Sequence, residues 1–417
     1  MSFQQGLSGL NAATKSLEAI GNNVANAGTV GFKQSQVQFS DVYANSLVGS
    51  GGGAQIGIGT QVSRVAQQFS QGNVTASNNP LDMAINGGGF FRMSDNGAIS
   101  YSRNGQFILS KEGYIESASG QRLTGYLADA NGVVAIGAPS ELRIDKADLA
   151  PAATTKYELK LTLDSRKAVQ PAASFDPTDP TTFADSTSVP VYDSLGNSHT
   201  LRTFYVKTAS GATGATWTVF ATNDDVPIGY VPPAAPVALG TMDFNNGGVL
   251  TGTTPSPLVA AMAVTTGAAT PYNISIDATG TQQFAQDFGV AKQLPDGYQA
   301  GTLTGFSVST NGEIVGRYTN GQVNILGQVI LSSFANPNGL QNIGDNQWVE
   351  TAESGVPLTS TPGSSGLGAV QSSRVEDSNV DLTAELVNMI TAQRYYQANA
   401  QTIKTQDQIL QTLVNLR

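Results

Sequence analysis

At 417 residues with a net charge of −10, the chain is long enough for about two or three domains and carries no run of basic residues. Nucleic-acid binding is therefore disfavoured, because phosphate contacts need clustered Lys and Arg. The absence of cysteine excludes disulfides, thiolate nucleophiles and cysteine-ligated metal sites. No apolar stretch approaches the roughly 20 residues that span a bilayer, so we expect no membrane insertion. The N-terminus lacks the basic and apolar regions of a Sec-type signal peptide, and it should stay uncleaved if the protein acts outside the cell.

Residues 1–24 are predicted to form a helix with a narrow apolar seam. Apolar side chains recur at alternating steps of four and three residues, with Thr14 and Gly21 at the positions in between. This spacing is typical of a coiled coil. The seam consists of Phe3, Leu7, Leu10, Leu17 and Val24. We expect Asn22, Asn23 and Asn26 to end the helix in left-handed conformations; hydrogen bonding to a neighbour is the alternative.

Two stretches of the chain, residues 72–146 and 287–361, have the pattern of β structure. Short apolar runs in them are separated by turn signals, among them Asn96-Gly97 and Asn104-Gly105. Asn-Gly pairs favour hairpins because both positions tolerate a positive φ. The two stretches are predicted to form one discontinuous β domain.

The segment between them, residues 147–286, is richer in Pro and Thr and has more acidic than basic residues. We predict that it forms a second β domain, inserted into a loop of the first and facing solvent. Residues 25–71 and 362–375 are predicted to connect the helices to the β domains as extended chain and short strands. The connecting segment includes a flexible tract at Gly49–Gly53.

Residues 376–417 are predicted to contain a second and longer helix, with no Pro or Gly from Leu382 onward. Ser378 or Asp381 can cap its start. Its seam consists of Leu382, Leu386, Met389, Tyr396, Ile403, Leu410 and Val414. The predicted fold is therefore mixed and mainly β. Two or more β domains, one discontinuous and one inserted, are carried on a coiled-coil domain made from both chain termini. Because each seam needs a partner, the pattern indicates a subunit that is completed by assembly with its own copies.

Three groups of motifs, taken together and in this order, carry a resemblance to a known family. They are ANAGTVGFK at residues 25–33, LDMAINGGGFF at 81–91 followed by YSRNGQF at 101–107, and SNVDL at 378–382 with QRYYQANA at 393–400. The chain resembles the flagellar rod–hook axial proteins, and the hook members of that family in particular. The inserted segment matches the hook members only in position and size.

The resemblance implies a structural subunit of the bacterial flagellar hook, an extracellular part of the flagellum. It implies a curved, flexible tubular homopolymer that surrounds the export channel and transmits motor torque to the filament as a universal joint. The terminal helices would line the inner tube, and the inserted domain would form the outer surface. The implied partners are distal rod, hook cap and hook–filament junction proteins, together with a type III export apparatus that leaves the N-terminus intact.

The polar clusters do not indicate catalysis. His199 is the only histidine, and its surroundings are typical of a turn that leads into a strand. The acidic pairs Asp176/Asp179 and Asp224/Asp225 lie in turn-like sequence, where Asp usually bonds its own backbone. Residues 129–132 resemble a calcium loop only in part and are predicted to form a hairpin turn. We therefore expect no catalytic, cofactor or metal site, and no enzyme activity.

Two alternative functions remain open at this point. A distal rod protein of the flagellar basal body would share the motifs, although the large insert argues against it. A secreted β-rich adhesin or carbohydrate-active enzyme would leave both helical seams unexplained.

Overall fold

The computed structural model describes residues 2–42, 57–145, 148–229, 237–270 and 272–415. The predicted flexible tract at Gly49–Gly53 lies outside the described residues. The chain forms two compact units. Unit 1 consists of Met1–Lys146, Gly305–Arg317 and Val323–Arg417, and unit 2 consists of Ala147–Thr304 and Tyr318–Gln322.

The N-terminal part of unit 1 begins with a long helix and continues as short strands. In chain order these elements are α1 (Ser2–Ala25), β1 (Ser35–Val42), β2 (Gly59–Gln67), β3 (Val74–Ala76), β4 (Met83–Asn86), β5 (Phe90–Asp95), β6 (Ala98–Ser102), β7 (Phe107–Leu109), β8 (Ile115–Ser117), β9 (Arg122–Leu127) and β10 (Ser140–Glu141). Strands β1 and β2 form an antiparallel pair that packs beside α1.

Unit 2 contains two sheets. In chain order its strands are β11 (Lys156–Asp164), β12 (Asp185–Tyr192), β13 (Ser198–Gly211), β14 (Gly214–Asn223), β15 (Val226–Pro227), β16 (Gly240–Phe244), β17 (Leu250–Thr254), β18 (Leu258–Met262), β19 (Tyr272–Asp277), β20 (Gln282–Phe284) and β21 (Gly289–Pro295). A six-stranded sheet joins β12 to β17, and a five-stranded sheet centres on β11 with β18 to β21 around it.

The chain then returns to unit 1. The last elements are β22 (Leu303–Val308), β23 (Glu313–Tyr318), β24 (Val323–Val329), β25 (Leu331–Ser333), β26 (Gln341–Gly344), β27 (Gln347–Val349), β28 (Leu358–Ser360), β29 (Ala369–Ser372), β30 (Arg374–Glu376) and α2 (Leu382–Asn415). Strands from both sides of the insert share one large sheet in which β24 pairs with β9 and β27 pairs with β6. The predicted fold class, mainly β with terminal helices and several β domains, is confirmed.

The core of unit 2 lies between its two sheets. Alternate residues of β11, from Tyr157 to Leu163, face this core, as the period of two along a strand requires. Trp217 lies against them from the other sheet and is fully buried. A smaller cluster around Phe204 and Phe220 packs with Phe175 of the segment between β11 and β12, which covers the second face of the six-stranded sheet.

Unit 2 extends further along the chain than the insert predicted from the sequence, which ended at residue 286. The reason is β21, which pairs with β11 along most of its length. Residues 289–295 therefore complete the five-stranded sheet of unit 2. In sequence, this strand differs little from the β stretch that follows it, so composition alone placed the boundary too early.

The predicted Asn-Gly turns have two outcomes. Asn96-Gly97 closes the hairpin between β5 and β6, with Asp95 opposite Ala98 and positive φ at both central residues. Asn104-Gly105 was expected to do the same, but β6 does not pair with β7. The preceding residue, Arg103, is instead drawn into the interior of unit 1, and its partner there is described below.

Helix α2 has a well-defined start. The Oδ1 atom of Asp381 accepts hydrogen bonds from the backbone N–H groups of Thr383, at 2.9 Å, and Ala384, at 3.1 Å. Of the two predicted caps, Asp381 therefore performs this role. Among the described residues, no helix is long and apolar enough to cross a bilayer.

Candidate assembly interface

The two terminal helices pack against each other as an antiparallel pair. A Cβ atom at Gly6 would lie 3.0 Å from Cγ1 of Ile403, and one at Gly9 would lie 2.7 Å from Oδ1 of Asn399. The helices can approach this closely because both positions lack a side chain. Toward the other end of α1, Asn23 lies near Glu385 at the start of α2.

The face of α1 that contacts α2 is not the predicted seam. It carries a second heptad line in which Gly6, Ala13 and Ile20 recur every seven residues, with Asn23 continuing it, and all four are buried. This line is made largely of small residues, which contribute little to an apolar pattern. The spacing of seven residues is visible in the sequence, but a pattern of large apolar side chains does not include these positions.

The predicted seam residues lie mostly on the exposed faces of the pair. On α1, Phe3 is 47% exposed and Leu7 44% exposed, whereas Leu10, Leu17 and Val24 are half-buried. On α2, Met389 and Ile403 are half-buried, and Ile403 lies against Gly6 of α1. The exposed members of the α2 seam are Leu382, Leu386, Tyr396, Leu410 and Val414. The structure thus brings only part of the seam into contact within one chain.

The C-terminal end of α2 has the least cover. Because Gly6, near the start of α1, already lies against Ile403, the last turns of α2 with Leu410 and Val414 run past α1. Four further apolar side chains on α2 that the seam did not include are also exposed: Val387, Ile390, Tyr395 and Ile409. The apolar surface of α2 is therefore broader than a single stripe.

The asparagines near the end of α1 do not adopt left-handed conformations, contrary to our expectation. Asn23 is buried, and its side-chain amide bonds both backbone groups of Ser35, at 2.8 and 2.9 Å. Its Nδ2 also lies 3.4 Å from the Glu385 carboxylate, which accepts a second bond from Gln34 at 2.6 Å. These amide contacts join α1, the start of β1 and the start of α2.

A buried ionic cluster, which we call the hub, lies next to this junction. The Glu376 carboxylate is fully buried and accepts from Lys33 Nζ at 2.6 Å and from Arg103 Nη1 at 3.1 Å. The backbone N–H of Gly72 donates to the same carboxylate at 2.9 Å. The hub thus contains two cations and one anion, taken from three distant parts of the chain.

The electrostatics of the hub are dominated by burial. Burial lowers the pKa of Lys33 below its usual value, and the contact with Glu376 opposes that shift only in part. Burial likewise lowers the pKa of the Arg103 guanidinium. Lys33 therefore depends on Glu376 for its charged state, and in the always-charged Arg103 the carboxylate offsets part of the cost of burial.

Gly31 brings the first motif against the second. It has a φ of +72°, and a Cβ atom there would lie 2.5 Å from the backbone nitrogen of Asn104. Its own N–H donates to the backbone carbonyl of Glu376 at 2.8 Å. The close backbone approach and the positive φ both require glycine here. The first two groups of motifs quoted from the sequence therefore meet at Glu376, two residues before the third group begins.

The candidate catalytic residues have structural surroundings. Asp176 and Asp179 each accept a hydrogen bond from the backbone two residues ahead, in Thr178 and Thr181. Asp129 closes a hairpin turn by accepting from the backbone of residues 131 and 133. Among the residues described, no cluster of three or more His, Asp or Glu side chains is placed to hold a metal ion.

Known protein families match four parts of the chain. The matching models are described as Flagella basal body rod protein (residues 3–33), Flagellar hook protein FlgE/F/G D1 domain (84–153), Flagellar basal body protein FlaE D2 domain (162–298) and Flagellar basal body rod FlgEFG protein C-terminal (371–416). Together they include the two helices, the hub and most of unit 2.

Similarity to curated proteins extends over the full length. The flagellar hook protein FlgE of Salmonella typhimurium is 39% identical over 426 aligned positions that cover 100% of both chains. The chain belongs to the flagellar hook protein family. The hook protein of Escherichia coli K12 is 37% identical, again over 100% of both chains. That of Borreliella burgdorferi is 31% identical over 100% of this chain and 99% of its own.

As a hook protein, the chain is a structural component of the flagellum that assembles as a polymer, and it is not an enzyme. The rod and adhesin alternatives are set aside because the full-length similarity is to hook proteins. A solved structure, the flagellar hook protein FlgE2 of Helicobacter pylori, has the same fold over 72% of this chain and 100% of its own, with a TM-score of 0.55 at 14% identity.

Proposed function

We propose that the hook subunit polymerises with its own copies through the predicted seam of the terminal helices, which would form the inner layer of a tube around an export channel. The observation that carries this proposal is the apolar face that the α1–α2 pair leaves exposed. Each of five side chains on the two helices is 44–52% exposed, while the helices already contact each other through small residues of α1: Phe3, Leu7, Leu382, Leu386 and Leu410.

The energy available from this face favours assembly only when several contacts form together. Full burial of a Leu or Phe side chain contributes about 1.5–3 kcal/mol, so a half-exposed one retains roughly 1 kcal/mol. Five such side chains supply on the order of 5 kcal/mol, while association costs an estimated 4–15 kcal/mol of rigid-body freedom. One neighbour on one face is therefore insufficient, and a lattice with several simultaneous contacts is favoured.

We further propose that the terminal helices are disordered before assembly and become stably ordered on incorporation. The contact between α1 and α2 is built on Gly6, Gly9 and Ala13, which bury little apolar area, and isolated helices are held mainly by packing. Amide hydrogen exchange of the monomer should show weak protection in residues 3–20 and 385–415. Strong protection there would contradict this part of the proposal.

Unit 2 would lie at the outer surface, where weak contacts between neighbouring copies would slide as the tube bends, so that the polymer acts as a universal joint. Distal rod, hook cap and hook–filament junction proteins would be the partners at the two ends. A type III apparatus would export the chain without cleavage. These parts rest on the family membership rather than on contacts within the chain. Cross-linking unit 2 between neighbouring copies should stiffen the tube, and unchanged flexibility would contradict the sliding mechanism.

Seeded polymerisation tests the seam directly. Purified chain is mixed with sheared hook fragments and followed by electron microscopy and sedimentation. We expect tubes from the full chain and none from a chain without residues 382–417. A Leu386→Ala and Leu410→Ala double variant should lose about 2 kcal/mol and raise the critical concentration roughly 30-fold.

The matched control is Gln397→Ala, at an exposed polar position of α2 where alanine also favours helix. It should polymerise at the same concentration as the unmodified chain. Tubes from the truncated chain, or a double variant that polymerises as the control does, would refute assembly through the seam.

A further inference from the structure

The only histidine of the chain lies between two carboxylates in unit 2. His199 follows the turn between β12 and β13 and is almost fully buried. Its Nδ1 is 2.7 Å from Oδ2 of Asp224, and its Nε2 is 3.4 Å from Oδ2 of Asp193. The Asp193 side chain is only 1% exposed, whereas that of Asp224 is 51% exposed.

Both contacts can be favourable only when the imidazole is protonated. A neutral imidazole has one N–H, so it donates to one carboxylate and turns the lone pair of its other nitrogen toward the second. The imidazolium donates from both nitrogens. Loss of the proton therefore removes one of the two contacts, whichever tautomer remains.

Asp193 joins separate segments of unit 2. It accepts from the backbone N–H groups of Leu195 and Asn197, both at 2.9 Å, which hold the turn between β12 and β13. It also accepts from the hydroxyl of Thr266 at 2.6 Å, in the loop between β18 and β19. The same loop donates from the backbone N–H of Ala269 to Ser194 at 3.1 Å. This network ties the two sheets together at one end.

That end is where the chain enters and leaves unit 2. Thr154, just before β11, exchanges two hydrogen bonds with Tyr192: its N–H donates to the Tyr192 carbonyl at 2.9 Å, and its hydroxyl accepts from the Tyr192 N–H at 3.0 Å. Ala152 pairs in turn with Tyr298 on the outgoing segment. Asp193 directly follows Tyr192, so the histidine cluster adjoins the base of the unit.

We propose that His199 is a protonation-controlled latch that closes the base of unit 2 when charged and loosens the loop between β18 and β19 when neutral. The ionisable groups that face it are Asp193 and Asp224. The other groups around Asp193 are neutral donors from Thr266 and Asn197, together with the phenol of Tyr272, whose pKa is raised by burial. No second cation among these groups replaces the charge of the imidazole.

The sign of the pH dependence follows from the contacts. Burial by itself would lower the pKa of His199, but the hydrogen bonds to Asp224 and Asp193 outweigh burial and raise the pKa above its ordinary value. A base with a raised folded-state pKa stabilises the fold fully below about pH 6.5, the unfolded value. This contribution is lost as the pH rises through the folded-state pKa.

The test uses the full chain, in which one histidine gives one imidazole signal. NMR titration of that signal should give a pKa above 6.5. Hydrogen exchange at the amides of Leu195, Asn197 and Ala269, corrected for intrinsic rates, should show protection that falls across the measured pKa. The protection factor should fall about tenfold for each unit by which the measured pKa of His199 exceeds 6.5. Amides of β11 in the core of unit 2 serve as the internal control.

Two variants separate a latch from a merely structural histidine. Asp224→Asn leaves one carboxylate, so a neutral imidazole can keep its N–H on Asp193, and the fall in protection across the His199 pKa should become smaller. His199→Gln should reduce protection at every pH without a transition. A His199 pKa at or below 6.5, or an unchanged pH transition in His199→Gln, would overturn the proposal.

Discussion

Replacement of Glu376 by Gln would leave the two buried cations of the hub facing an uncharged side chain. The amide oxygen can replace one carboxylate oxygen, toward Lys33 and Gly72, but the amide NH₂ then points its hydrogens at the Arg103 guanidinium. Removal of one partner of a buried ion pair costs about 3–5 kcal/mol. We expect Glu376→Gln to destabilise unit 1 by that amount.

The same geometry predicts an asymmetry between the partners. The hub has two positive charges and one negative charge, so Lys33→Met leaves a balanced pair of Arg103 and Glu376. Burial already lowers the pKa of Lys33, which shows that its charge is held at a cost. We therefore expect Lys33→Met to cost less than Glu376→Gln, at most about 2 kcal/mol. In the double variant, the two effects should not add, because they act on one network.

Calorimetry of the full chain is a suitable assay, since the two units should unfold as separate transitions and a single two-state fit would be invalid. For a unit of this size, about 1 kcal/mol corresponds to roughly 2–4 °C in the midpoint. Glu376→Gln should lower the unit 1 transition by on the order of 10 °C and leave that of unit 2, the internal control, unchanged. A cost for Lys33→Met equal to or above that of Glu376→Gln would refute the charge argument.

Three smaller changes test other contacts. Gly31→Ala should lower the calorimetric stability of unit 1 by about 2–4 kcal/mol, because Gly31 has a positive φ and a Cβ atom there would clash with the backbone of Asn104. The control is Gly28→Ala, which should be neutral because the space around Gly28 is open. Equal effects of the two substitutions would contradict the clash at Gly31. Asp381→Ala should cost about 1 kcal/mol and, in the assembled tube where α2 is ordered, increase hydrogen exchange in the first turn of that helix. An unchanged exchange rate there would argue against the cap. Trp217→Phe should lower the free energy of unfolding of unit 2 alone by about 1–3 kcal/mol, because the indole is buried and its N–H donates a hydrogen bond to Gln283. A shift in the calorimetric transition of unit 1 would contradict this expectation.

The helices and the β texture could be predicted because their signals are local. The period of apolar residues identified both terminal helices, and Asn96-Gly97 identified a hairpin from two residues alone. The period did not, however, settle which face of α1 contacts α2. Two lines of residues with the same spacing run along α1. The line with the larger side chains gives the stronger apolar pattern, although the helix contact uses the line of Gly6, Ala13 and Ile20.

The hub could not be predicted because its signal is not local. Lys33, Arg103 and Glu376 are not near one another in the sequence, and hundreds of residues separate the last from the other two. Asn104-Gly105, which does not form a hairpin, directly follows the buried Arg103 of this long-range contact. The conformation predicted for Asn23 is wrong for a similar reason, because its partners Ser35 and Glu385 come into contact with it only in the folded chain.

The two lines along α1 also limit how the length of this helix can change. They lie about 100° apart, one residue out of phase, so a single insertion between Gly6 and Ile20 would rotate the large side chains onto α2 and the glycines outward. Among insertions or deletions of up to ten residues, only one of seven returns both lines to their places, with a drift of about 20°. Length variation in this segment should therefore occur in whole heptads, and a viable single-residue insertion would require a compensating shift in α2.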